Sequence, residues 1–436
     1  MRSAVDQILA FNGHFERAAL QRKLERMLAS PFTFFRATFH LFAYDLQEGW
    51  CRDRNLIDVE GPIIGDLHTE NFGAFRAITG DIVYDINDFD EVTTGSYEID
   101  LRRLTTSILL AALDNGHSFG EGVREAELAA RSYLETVGRL AQVRDRKEFE
   151  KLTATREILR LLHKAQERSR VEFIKKIAVQ PKPGRFAFRR TDRLRPLNDK
   201  VKEELRKAVP EFLAHVLAPP KARPTEYTLH DIAFRLSGVG SLGRARYALL
   251  FGKGAKEQDD WSTLRLIDWK ESLISALDSR EPRSSEKRAQ EIFAFTRSFQ
   301  LFPKRYLGFV TIGKQSMQTK EIGANDARFN PKQMQNPAHF QRAAQMFGNI
   351  TARAHLLGSI GNPGLRPLVK KLHGREDRFV HKLLSFAVAY ADRTFEDFDE
   401  LTRRKAEVAQ AWSAKRETLP AVGSGDEELP TTKPLE

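Results

Sequence analysis

The sequence predicts an α+β protein of two lobes, in which a β-rich segment is inserted between two parts of a mostly helical lobe. The chain has 436 residues, more than one compact domain usually holds. Apolar residues recur at helical spacing before the Pro-rich segment 218–224 and again from residue 338. Between these regions the apolar period changes to two, which indicates strands.

These changes of period divide the chain into four segments. Residues 1–215 form a helical lobe, 216–325 a β-rich lobe, and 326–416 the completion of the helical lobe. The last segment, 417–436, is rich in Pro, Gly, Ser and acidic residues, so it is predicted to be disordered.

The individual elements follow from the same periodicity. In the helical parts we expect helices at 31–46, 100–113, 121–141, 340–357 and 379–390, with a strand at 81–86. In the β-rich part we expect strands at 232–236, 247–251 and 263–269, a helix at 284–301, and two further strands within 306–321.

Composition narrows the class of protein. The net charge of +11 favours anionic partners such as nucleotides and phosphorylated metabolites. The basic segment 144–207 leaves nucleic acid as a less favoured partner, because a solvated basic face explains it more simply. The single Cys51 argues against disulfides and Cys-rich zinc sites and indicates a cytoplasmic protein. We expect no membrane contact, because no apolar run is long enough to span a bilayer and no signal peptide is evident.

Two acidic clusters carry the first half of a predicted phosphoryl-transfer site. In the first cluster, Gly65 to Asn71, Asp66 is the candidate base, His68 orders the loop, and Asn71 offers an amide oxygen to a metal. The second cluster, Asp85 to Glu91, follows an apolar strand. There Asp88 is the favoured ligand for Mg²⁺, with Asp90 as the competing choice. A simple turn and a solvated acidic loop are the alternative interpretation.

The β-rich segment supplies the second half. Gly238, Gly240, Ser241 and Gly243 form a glycine-rich turn, which we interpret as a loop over phosphates between antiparallel strands rather than the start of a dinucleotide-binding helix. Lys270 ends the third strand and is a candidate for binding the α- and β-phosphates. A carboxylate on the next helix would hold it, and Glu291 is preferred over Glu286.

Two other acidic residues, Asp100 and Asp268, each have two alternative roles. Asp100 either caps a helix or braces the catalytic loop by accepting backbone N–H bonds. Asp268 lies two residues before Lys270, on the same face of the strand. An acid at that position is expected to pair with Lys270 and weaken nucleotide binding, or to alter how the nucleotide lies.

The motifs as a set resemble a known family. The sequences GDLHTENFG, DINDFDE, SYEIDLRRL, SGVGSLG and IDWKES, spread over about residues 30–400, resemble the domain-of-unknown-function family 2252. They are in turn similar to motifs of aminoglycoside and choline phosphotransferases and, more distantly, protein kinases. This resemblance implies a kinase-like two-lobed fold in circularly permuted order, because the catalytic and metal loops precede the nucleotide lobe.

The leading hypothesis is therefore an ATP- and Mg²⁺-dependent phosphotransferase that acts on a hydroxyl of a small molecule. One alternative is a metallophosphoesterase, since Asp66-x-His68 resembles the first metal-binding pair of that class. The other is a catalytically inactive, kinase-like binding protein or a basic nucleic-acid binder.

Overall fold

The computed structural model describes residues 2–12, 17–50, 59–141, 165–219, 227–236, 244–253, 260–278, 287–360 and 365–413. The predicted tail at 417–436, most of the Pro-rich segment and the glycine-rich turn at 237–243 lie outside these ranges. Within them, the chain combines helices with antiparallel sheets, and strands occur before residue 216 as well as after it.

Helices make up most of the two ends of the chain. The N-terminal part contains α1 Ala4–Asn12, α2 Arg17–Met27, α3 Pro31–Ala37, α4 Phe39–Gln47, α5 Tyr97–Asp114 and α6 Phe119–Leu140. The middle contains α7 Arg170–Ile177, α8 Asp199–His215 and α9 Arg288–Phe299. The C-terminal part contains α10 Pro337–Gly358, α11 Arg366–Leu372, α12 Glu376–Arg403 and α13 Lys405–Ser413. No described helix is long and apolar enough to cross a membrane.

The strands form one large sheet and three small ones. They are β1 Glu60–Ile63, β2 Phe72–Arg76, β3 Ile82–Ile86, β4 Thr93–Ser96, β5 Ala178–Lys182, β6 Arg185–Phe188, β7 Leu194–Arg195, β8 Tyr227–Arg235, β9 Arg246–Lys253, β10 Arg265–Glu271, β11 Gly308–Ile312, β12 Gln315–Ile322 and β13 Ala327–Arg328. The six-stranded sheet has the order β11-β12-β10-β9-β8-β7, and a three-stranded sheet has the order β13-β2-β3. The remaining pairs are β1 with β4 and β5 with β6.

The six-stranded sheet has its own apolar layer. One face buries Ile232, Tyr247 and Trp269 against α8, which contributes Leu205 and Phe212. Residue 215 is the predicted end of the first helical segment, and α8 lies before it. The apolar layer of the sheet therefore includes residues from both sides of that predicted boundary.

Two local features shape the helical part. The aromatic segment predicted as one helix at 31–46 is helical but divided at Thr38, whose hydroxyl donates to the carbonyl of Phe34 at 2.7 Å. The long helices α6 and α10 pack closely at Gly348, where a Cβ atom would lie only 2.1 Å from the carbonyl oxygen of Ala129. This packing fixes α10, which carries His355 towards the candidate site.

Candidate functional site

One cleft lies between the six-stranded sheet and the loops that contain the two acidic clusters. It has a volume of about 780 Å³, including the part open to solvent. Among the described residues, its charged lining consists of six cationic side chains, Arg36, Arg244, Arg246, Lys270, Lys320 and Arg328, and five carboxylates, Asp66, Glu70, Asp88, Asp90 and Glu91. His68, Asn71 and Ile64 also line the cleft. The cleft thus brings together predicted residues that are about 200 positions apart in the chain.

The first acidic loop is held by Asp100. Its two carboxylate oxygens accept hydrogen bonds from the backbone N–H groups of Ile64 and Gly65, each at 2.7 Å. His355 Nε2 lies 2.9 Å from the same carboxylate. The helix cap is instead Ser96, whose hydroxyl accepts from the N–H of Glu98. Of the two roles considered for Asp100, bracing the loop is therefore confirmed.

Gly65 lets the two acidic loops approach each other. Its φ of +83° lies in the left-handed region that glycine adopts most easily. A Cβ at this position would lie 2.4 Å from the carbonyl oxygen of Glu91. The backbone contact between the two clusters therefore depends on a glycine here.

Asp66 is paired with a buried arginine. Arg103 binds the Asp66 carboxylate at 2.8 Å and is itself only 1% exposed. Its guanidinium stacks on the ring of Phe35, 3.5 Å from the ring centroid, and donates to the Phe35 carbonyl oxygen at 2.8 Å. Burial raises the pKa of Asp66 to about 6, although Arg103 opposes this shift. A carboxylate with such a pKa is suited to accept a proton near neutral pH.

His68 and Asn71 fold the loop back on itself. The N–H of His68 donates to Asn71 Oδ1 at 2.6 Å, and the N–H of Asn71 donates to the His68 carbonyl oxygen at 2.9 Å. Burial, reinforced by Arg36 and Arg103, holds the pKa of His68 well below its usual value, so the ring is neutral. Its Nδ1 is buried without a hydrogen-bond partner among the described residues.

Asp88 and Asp90 differ in how far they are already engaged. Asp90 is ion-paired with Lys270 and also accepts from Gln318 Nε2 at 2.6 Å. Burial favours the neutral form of Asp90, but Lys270 and Arg244 outweigh burial and hold its pKa well below the usual range. Asp88 Oδ1 has no hydrogen-bond partner in the described part of the chain. Asp88 therefore keeps an oxygen for a ligand, whereas Asp90 acts mainly on the sheet.

The prediction that Glu291 holds Lys270 is wrong in this structure. Lys270 Nζ is ion-paired with Asp90 and lies 3.9 Å from Asp88 Oδ1. Glu291 is 43% exposed and contacts Arg288 at 3.4 Å. The reason is the rotation of α9, which turns Arg288 inward to donate to the carbonyl oxygens of Asp90 and Val92. The competing candidate, Glu286, lies outside the described residues.

The expected pairing of Asp268 with Lys270 is also corrected. Asp268 is fully buried and binds Arg235 and Arg246, each at 2.6 Å. These two arginines neutralise it and hold its pKa well below the usual range, against the effect of burial. Lys270 is therefore not bound by the acid two residues before it.

The glycine-rich turn itself, with Gly238, Gly240, Ser241 and Gly243, lies outside the described residues. Its flanking segments are the neighbouring antiparallel strands β8 and β9. A strand rather than a helix follows the turn, so the interpretation as a loop between antiparallel strands is confirmed at this level.

Sequence reasoning missed much of the cationic lining. Gln318 and Lys320 lie on β12 directly across from Lys270 and Asp268. Burial lowers the pKa of Lys320 to about 8, although Asp88 opposes this shift. Strand alternation places both side chains on one face, but only the sheet order shows that this face lines the cleft.

Comparisons with known proteins place the chain in a family. The model of the family described as "Uncharacterized protein conserved in bacteria (DUF2252)" matches residues 16–404, and the chain belongs to this family. Comparisons with curated proteins and with solved structures gave no match.

The bracing role of Asp100 can be tested by stability. Asp100→Ala leaves two buried backbone N–H groups without their acceptor, each at a cost of about 1–3 kcal/mol. We expect the free energy of unfolding in urea to fall by that order. The matched control is Asp114→Ala, at the exposed end of the same helix. Equal stability of the two variants would contradict the bracing role.

Proposed function

We propose that this protein is a phosphotransferase that moves the γ-phosphoryl group of ATP to a hydroxyl of a small molecule with the help of Mg²⁺. The observation that carries the proposal is the meeting of Lys270, Asp88 and Asp66 in one cleft lined by cations. Phosphoryl transfer needs a positioned nucleotide, neutralised phosphate charge and an aimed acceptor. The cleft offers residues for each of these needs.

The order of elements around Lys270 supports a kinase-like arrangement. In protein kinases a glycine-rich loop covers the phosphates and the lysine lies on the third strand. Here β8, the glycine-rich turn, β9 and β10 follow one another, and Lys270 is on β10. In this chain the catalytic and metal loops come first, which makes the proposed fold a circular permutation. Permutation does not affect chemistry that depends only on positions in space.

The donor atoms of the cleft fit Mg²⁺, which usually takes one or two protein carboxylates together with substrate phosphates. Asp88 would hold the ion through its free Oδ1, and Asn71 through the second lone pair of its amide oxygen. Asp90 is the weaker candidate because Lys270 and Gln318 already bind it. When bound, the ion would neutralise charge on the β- and γ-phosphates.

Asp66 would direct the acceptor. The acceptor oxygen forms a bond to the γ-phosphorus while the bond from that phosphorus to the bridging oxygen of ADP breaks. The electron pair of the broken bond leaves with ADP, and the acceptor proton passes to Asp66. Arg103 holds Asp66 in place through its ion pair, and Lys270, 3.9 Å from Asp88, would bind the phosphates of ATP.

The alternatives have weaker support. A metallophosphoesterase needs a larger set of metal ligands, and among the described residues no group of three or more His, Cys, Asp or Glu could hold a metal ion. An inactive binding protein was suggested by Asp268, but Arg235 and Arg246 engage that carboxylate.

Nucleotide binding is the first test. We expect ATP with Mg²⁺ to raise the thermal unfolding midpoint of the wild-type protein, because a ligand at 100 times its Kd adds about 2.7 kcal/mol to stability. Asp88→Ala should remove the Mg²⁺ dependence, and Lys270→Met should weaken binding at every Mg²⁺ concentration. Exposed Lys207→Met on α8 serves as the control. A wild-type protein that shows no shift with ATP and Mg²⁺ would refute the proposal.

The pH dependence of turnover tests Asp66. A base must be ionised, so kcat/KM should fall about tenfold per pH unit once the pH drops below the Asp66 pKa of about 6. Asp66→Asn should lower kcat by roughly 100-fold to 10,000-fold and leave the Kd for ATP nearly unchanged. Exposed Asp6→Asn should keep the wild-type profile. An Asp66→Asn enzyme with the same acidic limb would exclude Asp66 as the base.

A further inference from the structure

The cations that line the cleft come from two parts of the fold. The first group, Arg246, Lys270 and Lys320, lies on strands of the six-stranded sheet, with Arg244 just before β9. The second group, Arg36 and Arg328, lies on α3 and β13 in the helical part. The first group is the one expected to neutralise a triphosphate, so the second needs another explanation.

Arg36 and Arg328 line the same cleft. Burial lowers the pKa of Arg36, and Arg328 lowers it further, while Glu70 acts in the other direction. The Arg36 guanidinium touches Glu70 at 2.8 Å, and its Nε is buried without a hydrogen-bond partner among the described residues. Arg328 is 49% exposed and approaches the nearest carboxylate, Asp88, only to 3.9 Å. These guanidinium groups therefore retain capacity for a bound anion.

His68 lines the cleft together with the same two arginines, and both add to the effect of burial in lowering its pKa. Its residue is only 7% exposed, it lines the cleft, and its Nδ1 has no partner in the described part of the chain. A buried polar atom without a partner costs free energy unless a ligand satisfies it. The ring nitrogen and the two guanidinium groups thus belong to residues that line the same cleft as the predicted base.

We propose that the phosphoryl acceptor is an alcohol that carries an anionic group, a phosphate or a carboxylate, and that Arg36, Arg328 and His68 bind that group. This inference rests on the proposed function, since it assigns the acceptor of that same site. Arginine binds both kinds of anion through paired N–H bonds. With the anion held there, the hydroxyl of the acceptor would reach Asp66. The products are ADP and a phosphate ester, and the proton released passes through Asp66 to solvent.

The electrostatics also disfavour a polycationic acceptor such as an aminoglycoside. Among the described residues, the cations that line the cleft outnumber the carboxylates by six to five, and the buried Arg103 adds a positive charge in contact with Asp66. A polyamine would meet like charges at Arg36 and Arg328. The motifs resemble those of aminoglycoside phosphotransferases, but the lining predicts the opposite charge for the acceptor.

Binding by calorimetry can locate the anion without any turnover. The probes are glycerol 3-phosphate, glycerate and uncharged glycerol, each titrated with and without a saturating non-hydrolysable ATP analogue and Mg²⁺. We expect both anions, but not glycerol, to bind under both conditions. A preference for one anion identifies the group as phosphate or carboxylate. Failure of both anions to bind under either condition would overturn the inference.

Variants separate the two cationic groups. Arg36→Gln and Arg328→Gln should each weaken binding of the anionic probe by roughly tenfold to a hundredfold, and should leave binding of the ATP analogue within about twofold. Lys270→Met should show the reverse pattern, and exposed Arg206→Gln on α8 should change neither. Because Arg328 is half exposed, its variant keeps the test valid if Arg36→Gln does not fold. Loss of ATP-analogue binding in Arg328→Gln equal to that in Lys270→Met would assign Arg328 to the nucleotide and overturn the inference.

Turnover gives a second, independent readout. With ATP and Mg²⁺, anionic alcohols should give a higher kcat/KM than neutral alcohols of the same size, and kanamycin should not compete with them. A higher kcat/KM for kanamycin would overturn the inference. If ATP does not bind at all, the proposed function fails, but the titrations without nucleotide still decide whether Arg36 and Arg328 form an anion site.

Discussion

Buried charges at the junction of the second acidic loop and the six-stranded sheet are the constraint on which the site depends. Asp90 meets Lys270 and Gln318 of the sheet, and Arg288 of α9 donates to the backbone of the same loop. An unpaired charge in such a place would cost several kcal/mol. These contacts therefore fix the position of the second acidic loop against the six-stranded sheet, although the two are far apart in the sequence.

The ion pair between Asp90 and Lys270 also bears on the proposed function. Lys270 is the residue proposed to bind a phosphate, so a nucleotide would have to displace Asp90 from Lys270 or share Lys270 with it. Within the described part of the chain, Asp88 is not engaged in that way, because its Oδ1 has no hydrogen-bond partner and its nearest cations are 3.9 Å away. The structure thus separates two adjacent acids into one that holds the sheet and one that can hold a ligand. Arg103 likewise holds the Asp66 carboxylate through an ion pair, and the Asp66 side chain stays 22% exposed.

The sequence predicts those parts of the fold and of the site that depend on residues close together in the chain. Long periodic segments and contiguous motifs indicated the helices, the strands and the residues Asp66, Asn71, Asp88 and Lys270. Arg36 and Arg328 could not be foreseen, because a single charged residue on a helix or strand carries no sign of which surface it will meet. The prediction that Glu291 holds Lys270 was wrong, although the sequence contains the signal that corrects it. The buried positions of α9 include Ala289, Ile292 and Phe299, and that stripe turns Arg288 rather than Glu291 inward.

A crystal structure with Mg²⁺ and a non-hydrolysable ATP analogue tests the central claim most directly. We expect a triphosphate that contacts Lys270 Nζ in place of part of the Asp90 ion pair, a metal ion on Asp88, and a γ-phosphate facing Asp66. A nucleotide bound outside the cleft, or one inside it whose phosphates avoid Lys270 while the pair of Lys270 and Asp90 stays intact, would contradict the proposed function.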